Sequence, residues 1–474
     1  MQIIGREAEQ AQLAAYLQSG RPEFIAVYGR HRVGKTYLIK EFFNQGFSFY
    51  ATGVAGVSLK EQLRVFHNSL KEYGSPYKNA PRDWLEAFAR LKELLLAPGA
   101  RRDPAADRLV VFLDELPWMD TPRSDFKPAL DWFWNSWASG REDMVLIVCG
   151  SATSWILENL LSSTGGFYNR ITRQMHLMPF TLRECEELYR HNGVVLTRRQ
   201  VMESYMVFGG IPYYMNCLDR RLSLAQNIDR LCFQEGGQLR HEYERLYSSL
   251  FRHSEKHTAI IQALSGSRTG LTRMQLAERK EIGGGEMLTR ALAELEQCGF
   301  IQKYSQYSKK SQGGIYRISD PFTLFHLRFM AEDRRQSWLT YVGTPGYYAW
   351  CGNAFELVCL LHTEQIKAVL GIRGVDSSQY AWRSRKTDPG AQIDLLIDRR
   401  DDVVNVCEIK FTVEPFRMDE NYEKQLLHKV EAFRTETGSK KALHLTMISA
   451  AGSDPAGSGA AVAALVTGDD LFRF

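Results

Sequence analysis

Apolar residues in this chain fall into two rhythms. Short unbroken runs, Phe24 to Tyr28, Leu109 to Leu113 and Met144 to Cys149, show no polar alternation. Strands buried on both faces of a parallel sheet read this way. A fourth strand is expected over 47–53 and a last one over Gln174–Leu177. Between them the spacing turns helical. Residues 3–20 carry Leu13, Tyr16 and Leu17 on one helical face. Residues 58–98 read as two helices ended by Pro98 and Gly99. The stretch from Asp131 to Trp137 forms a helix whose tryptophans pack a core or an interface. Strands separated by helices make an α/β sheet.

The pattern changes after residue 180. Residues 181–250 are helical, interrupted by the rigid break Gly209-Gly210-Ile211-Pro212-Tyr213-Tyr214. Helices are expected at His257–Leu264, Leu271–Arg279 and Met287–Cys298, followed by a hairpin with Lys303, Lys309 and Lys310 at its tip. Three helices and a hairpin spell a winged helix-turn-helix. Residues 321–350 are an aromatic connector. Beyond it a helix near Glu356 precedes strands at Gln392–Asp398 and Val403–Ile409. The organisation read from these patterns is 1–180, 181–250, 251–320, 321–350 and 351–474.

Chemistry enters where a strand ends. The run Phe24–Tyr28 breaks into Gly29-Arg30-His31-Arg32-Val33-Gly34-Lys35-Thr36, and a helix follows. This is the pattern and the context of a phosphate-binding loop. Its glycines let backbone N–H groups curl around an anion, and the helix N-terminus adds positive charge. Lys35 reaches the β- and γ-phosphates, and Thr36 offers a hydroxyl to Mg²⁺. The run Leu109–Leu113 ends in Asp114 and Glu115, at the same sheet edge. Asp114 would hold Mg²⁺ through water, and Glu115 would orient and deprotonate the attacking water. Alternatively the pair caps the turn at Pro117. Ser151 follows another strand and either senses the γ-phosphate or caps a helix. Arg170 and Arg173 precede the last strand. A cation there either stabilises the transferred phosphoryl, in its own subunit or a neighbour's, or is a surface charge. The Gly5-Arg6-Glu7 turn either caps its helix or packs near an adenine.

A second constellation lies near the end. Strand alternation puts Glu408 and Lys410 on one face, and Asp394 sits on the preceding strand. Carboxylates of Asp394 and Glu408 can hold Mg²⁺, with Lys410 beside a water. That is a site for metal-dependent phosphodiester cleavage; the alternative is a solvated strand face.

Composition adds limits. The 474 residues suffice for about three domains, and 44% hydrophobic with 24% charged residues excludes a disordered or fibrous chain. With 59 basic against 55 acidic residues, any basic surface must be local. The eight cysteines include no C-x-x-C pair, which argues against zinc and fits a reducing cytoplasm. No membrane-length apolar run and no signal peptide are read.

With these residues in order, the chain resembles the archaeal-type ATPases, in the STAND branch of the AAA+ class, with a C-terminal domain of restriction-endonuclease PD-(D/E)XK type. The likeness rests on Ile4 to Glu7, Tyr28 to Thr36, Leu113 to Glu115, Cys149 to Ser151, Gly209 to Pro212 and Tyr316 to Phe322. Ala354 to Glu356, Ile393-Asp394 and Glu408 to Lys410 extend it to the C-terminal part. It implies a P-loop NTPase sheet with a helical lid, a winged helix and an endonuclease-like α/β domain. It implies ATP bound by Gly29 to Thr36 with the adjoining Tyr37, Pro212 near the adenine and Ser151 as a sensor. Arg170 matches the family's arginine, although Asn169 replaces the usual Gly before it. Glu356, Asp394, Glu408 and Lys410 match the endonuclease pattern, with Mg²⁺ or Mn²⁺ as its metal.

Three functions compete. One is an ATP-dependent switch for a DNA-cutting tail, in defence or DNA processing. Another is a signalling or scaffolding ATPase that cuts nothing, with assembly into a homo-oligomer tied to ATP. The last is a winged-helix DNA-binding regulator, against which the weakly basic third helix, with Arg290, Glu294 and Glu296, argues.

Overall fold

The structure is a computed structural model. It describes residues 2–150, 153–161, 169–251, 254–267, 269–307, 314–331, 337–384, 390–454, 457 and 459–473. Two compact units divide the chain, Met1–Pro179 and Phe180–Phe474.

The first unit is a five-stranded sheet of order β2-β3-β4-β1-β5. Its strands are β1 (Glu23–Gly29), β2 (Phe49–Thr52), β3 (Leu109–Asp114), β4 (Met144–Cys149) and β5 (Arg173–Leu177), all parallel. The helices are α1 (Glu7–Leu17), α2 (Lys35–Phe42), α3 (Leu59–Glu72), α4 (Trp84–Leu96), α5 (Leu116–Met119), α6 (Phe126–Ser136) and α7 (Thr153–Ile156). The unbroken apolar runs are explained by two cores. Phe24, Ala26, Val111 and Leu113 pack on one face with Phe88 and Phe133. Ile25, Val27, Val110 and Phe112 pack on the other with Leu13, Leu38 and Phe47. Trp134 is buried in the first of these, its ring centroid 4.9 Å from that of Phe24. The tryptophan helix is therefore core on this side.

The second unit opens with helices α8 (Leu182–His191), α9 (Arg198–Phe208), α10 (Pro212–Met215), α11 (Leu224–Ile228) and α12 (Glu242–Leu250). Gly210, at φ 68°, makes the break before α10. A Cβ there would stand 2.4 Å from the Phe180 carbonyl oxygen, so no larger residue fits. Next come α13 (Ser254–Ser265), strand β6 (Leu271–Thr272), α14 (Arg273–Ala277), α15 (Gly285–Gln297) and the pair β7 (Ile301–Gln306) and β8 (Ile315–Ile318). The expected second helix thus begins as a strand, and Lys303 lies within β7, opposite Tyr316, rather than at the hairpin tip. Lys309 and Lys310 lie outside the described residues. α16 (Pro321–Phe325), α17 (Pro345–Leu361) and α18 (Thr363–Val369) follow. Then come β9 (Ser377–Arg383), β10 (Gln392–Arg399), β11 (Val403–Lys410), α19 (Glu420–Thr437), β12 (Ala442–Ser449) and β13 (Ala464–Thr467).

One pairing crosses the boundaries read from sequence. β7 pairs with β9 through Ser305↔Tyr380 and Gln306↔Ala381. The hairpin and the C-terminal strands are therefore one eight-stranded sheet, β13-β12-β11-β10-β9-β7-β8-β6. Composition shifts cannot reveal such a seam, because it is made by backbone hydrogen bonds between distant segments.

Candidate functional site

The phosphate loop joins β1 to α2. Gly29 has φ 143°, and a Cβ on it would lie 2.2 Å from the Leu177 carbonyl oxygen of β5. Glycine is the residue that lets the loop leave the sheet here. Lys35 is buried and spans the loop, its Nζ donating to the carbonyls of Gly29 at 2.8 Å and Arg30 at 3.0 Å. Arg6 has the left-handed conformation at the N-cap of α1. Its guanidinium donates to the Val33 carbonyl at 3.3 Å. The Gly5-Arg6-Glu7 turn therefore starts α1 and also braces the loop. Tyr37 is half exposed and donates to the Gln2 carbonyl at 3.4 Å, tying the first residues to α2.

Asp114 is buried at the exit of β3 and collects four neutral donors. Thr36 Oγ1 and the Glu115 backbone N–H donate to its Oδ1 at 3.0 Å each, and the Cys149 thiol at 2.6 Å. Tyr50 donates its hydroxyl to Oδ2 at 3.3 Å. Burial and the neighbouring carboxylate push the Cys149 thiol well up, so it stays protonated and donates. Glu115 sits at φ 48°, a strained position for a non-glycine residue, which turns the chain sharply at the strand edge. Sequence reading placed Thr36, Asp114 and Glu115 together. It missed Tyr50 and Cys149, whose only signal is that each sits on a strand beside β3.

These residues fit a magnesium nucleotide. Two loop arginines, Arg30 and Arg32, and Lys35 belong to the cradle, and the buried His31 Nδ1 makes no hydrogen bond. Burial, then Lys35, Arg32 and Arg30, hold His31 down at about 4, so it is neutral. A polyphosphate is the partner such a cradle suits. Thr36 and Asp114 stand where Mg²⁺ would be held. Ser151 lies outside the described residues. Arg170 is engaged by α6, with Asp131 at 2.6 Å and Asn135 at 3.0 Å. Pro212 is the first residue of α10 in the second unit.

The second unit also gathers charge. Asp394 on β10 and Glu408 on β11 lie on adjacent antiparallel strands, and the Ile409 N–H donates to Asp394 Oδ2 at 3.0 Å. Burial, and then the charges of Glu408 and Glu356, raise the Asp394 carboxyl to about 7. Each glutamate, however, is already bound to a cation. Glu356 Oε1 lies 2.7 Å from Arg317 of β8. Glu408 receives Lys429 at 2.7 Å, Tyr422 at 2.7 Å and Lys410 at 3.5 Å. Lys410 also stands 5.1 Å from the centre of the Tyr422 ring. Among the described residues no group of three or more His, Cys, Asp or Glu side chains is arranged to hold a metal ion. The expected metal set Glu356, Asp394 and Glu408 is thus corrected: the residues converge electrostatically but, as placed, do not fit a metal. Arg317, Tyr422 and Lys429 were missed. The last two lie about two helical turns apart on one face of α19, which was the available signal.

Comparison with known proteins bears on the first site. A Methanocaldococcus jannaschii protein of uncharacterised function is 26% identical over 337 residues, 69% of each chain. A solved Walker-type ATPase of Pyrococcus abyssi is 17% identical and covers 69% of this chain and 96% of its own, with a TM-score of 0.48. A STAND protein with a tetratricopeptide repeat sensor from Pyrococcus horikoshii is 15% identical, covering 78% of this chain and 50% of its own at a TM-score of 0.32. Residues 3–218 match the family described as an ATPase domain predominantly from Archaea.

Proposed function

We propose that the chain is an ATP-hydrolysing switch whose second unit is its output. The observation that carries this is the Thr36–Asp114 contact at 3.0 Å beside the loop spanned by Lys35. Lys35 would exchange its two carbonyl partners for the β- and γ-phosphates. Glu115, at the turned strand edge, would orient the attacking water and take its proton. Thr36 and Asp114 would hold Mg²⁺, which would supply neutralisation of phosphate charge. Arg170 would act only after leaving Asp131. Lys35→Ala is expected to weaken ATP binding about 100-fold, consistent with the loss of charge-assisted hydrogen bonds. Equilibrium binding of a fluorescent ATP analogue checks it, and unchanged affinity would remove the nucleotide reading.

The output has two forms. In the first, Asp394, Glu408 and Lys410, with Glu356, cut DNA with Mg²⁺ or Mn²⁺, in defence or in regulated processing. Their shared electrostatic field supports it. In the second, the unit signals or scaffolds, as a homo-oligomer, without cutting. The pairing of Glu356 with Arg317 and of Glu408 with Lys429 favours this form. Nicking of plasmid DNA that Asp394→Ala abolishes while ATP hydrolysis persists would decide for the first. A winged-helix regulator is less well supported, since α15 exposes Glu286, Met287 and Glu296 where phosphate contacts need Lys and Arg.

A further inference from the structure

The turn that carries Glu115 is fastened from a helix that holds none of the phosphate-site residues. Gln62 lies on α3 and is 2% exposed. The cap of that helix sets its place. Ser58 accepts from the Glu61 N–H, and Glu61 accepts from the Ser58 N–H in return, which fixes the first turn. The next residue, Gln62, is turned inward. Its Nε2 donates to the carbonyls of Val54 at 2.6 Å and Trp118 at 2.7 Å, and its Oε1 accepts from the Val54 N–H at 3.2 Å. A glutamine amide has two N–H donors and one carbonyl oxygen, and here all of them are engaged. The reverse orientation would set N–H against N–H and oxygen against two carbonyls, so the network fixes which atom is which.

Val54 and Trp118 belong to two neighbouring strand exits. Val54 follows β2 and Gly53. The Gly53 N–H donates to the Asp114 carbonyl at 2.9 Å, and a Cβ on Gly53 would stand 2.4 Å from the Glu115 carbonyl oxygen. Trp118 lies in α5, the four-residue helix whose N-cap position is Glu115. The last carbonyls of a helix have no partner within it, and that of Trp118 takes the Gln62 amide. Glu115 itself sits at φ 48° and ψ 43°. Such a backbone persists only where its surroundings over-determine it. Gln62 is part of those surroundings, since one buried amide ties the exits of β2 and β3 to the same helix.

We propose that Gln62 is a positioning residue for Glu115. It acts through the backbone of the turn from Glu115 to Trp118 rather than on the nucleotide, and it keeps the Glu115 carboxylate aimed at the attacking water. The inference rests on Glu115 as the general base and adds the device that holds it in place. A misplacement of about 1 Å can cost about 100-fold in rate. The phosphate loop has its own braces in Lys35 and Arg6. Gln62 therefore governs turnover and leaves ATP affinity alone.

The test compares Gln62→Met with the parent in the full-length chain. Single-turnover hydrolysis should fall about tenfold, within the range for a misplaced reacting group, while affinity for a fluorescent ATP analogue stays as in the parent. Deuterium uptake should rise at residues 54 and 115–119 and stay unchanged at residues 29–36. Gln62→Asn keeps the amide and is one methylene shorter. It is the milder variant, it carries the same comparison should Gln62→Met fail to fold, and it should lower hydrolysis severalfold at unchanged affinity. In a Glu115→Gln background, adding Gln62→Met should leave the residual rate unchanged, because the group that Gln62 aims is gone. An equal fall in both backgrounds, or uptake that rises across the whole first unit, makes Gln62 a purely structural residue and overturns the proposal. Parental hydrolysis in both folded Gln62 variants overturns it too, with the general base left standing. If Glu115→Gln by itself leaves hydrolysis unchanged, the general-base reading fails, and the proposal falls with it.

Discussion

The two charged sites of this chain treat a buried carboxylate in opposite ways. Asp114 is held by a hydroxyl, a phenol, a thiol and a backbone N–H, all neutral. Such donors orient an anion without cancelling it, so its charge is kept for an incoming cation. Glu356 and Glu408 are held by Arg317 and Lys429, which cancel them. Neutral partners prepare a site, while ionic partners close one until the ion pair is exchanged. By this criterion the first site keeps its charge, while the charge of the second is already matched by its own cations.

The comparison can be broken in order of effect. Glu115→Gln should keep ATP binding and lower hydrolysis by about 10²–10⁴-fold, the range expected for loss of a general base; single-turnover phosphate release measures it. Lys429→Met leaves Glu408 buried beside a weaker cation. It should destabilise the chain by about 3 kcal/mol, with most of this recovered in the Glu408→Gln/Lys429→Met double variant. Denaturant unfolding reads both. Asp394 offers a pH test. Its folded pKa, about 7, lies above the unfolded value of 3.8, so its contribution is fully present below the unfolded pKa and is lost as pH rises through about 7. Asp394→Asn, which keeps an acceptor for Ile409, should flatten this fall in melting temperature between about pH 4 and about pH 7. The smallest effect is expected for Cys149→Ala. It removes one of the neutral donors on Asp114, worth about 1 kcal/mol, and should weaken magnesium-dependent ATP binding several-fold while Cys149→Ser retains it.

The two sites also differ in how far the sequence displays them. Gly29 to Thr36 is contiguous, and its strand and helix are set by local apolar rhythm, so both fold and chemistry were legible there. Asp114 and Glu115 were legible because a buried strand that ends in acids must present them at one edge. The partners that determine what the second cluster does come from elsewhere. Arg317 arrives from a hairpin 39 residues before Glu356, and Lys429 from a helix 21 residues after Glu408. No periodicity within one element marks a pair made between elements. The same reason hid the joining of β7 to β9, where two segments read as separate domains share one sheet.

That joining has a mechanical consequence. The seam rests on the pairing of Ser305 with Tyr380 and Gln306 with Ala381, whereas β11 and β12 are matched along their whole length from Val403 to Lys410. A sheet opens first where its rungs are fewest. Deuterium uptake should be faster at residues 305 and 306 than along β11 and β12, and a pull across the sheet would part this seam before the β11–β12 pairing.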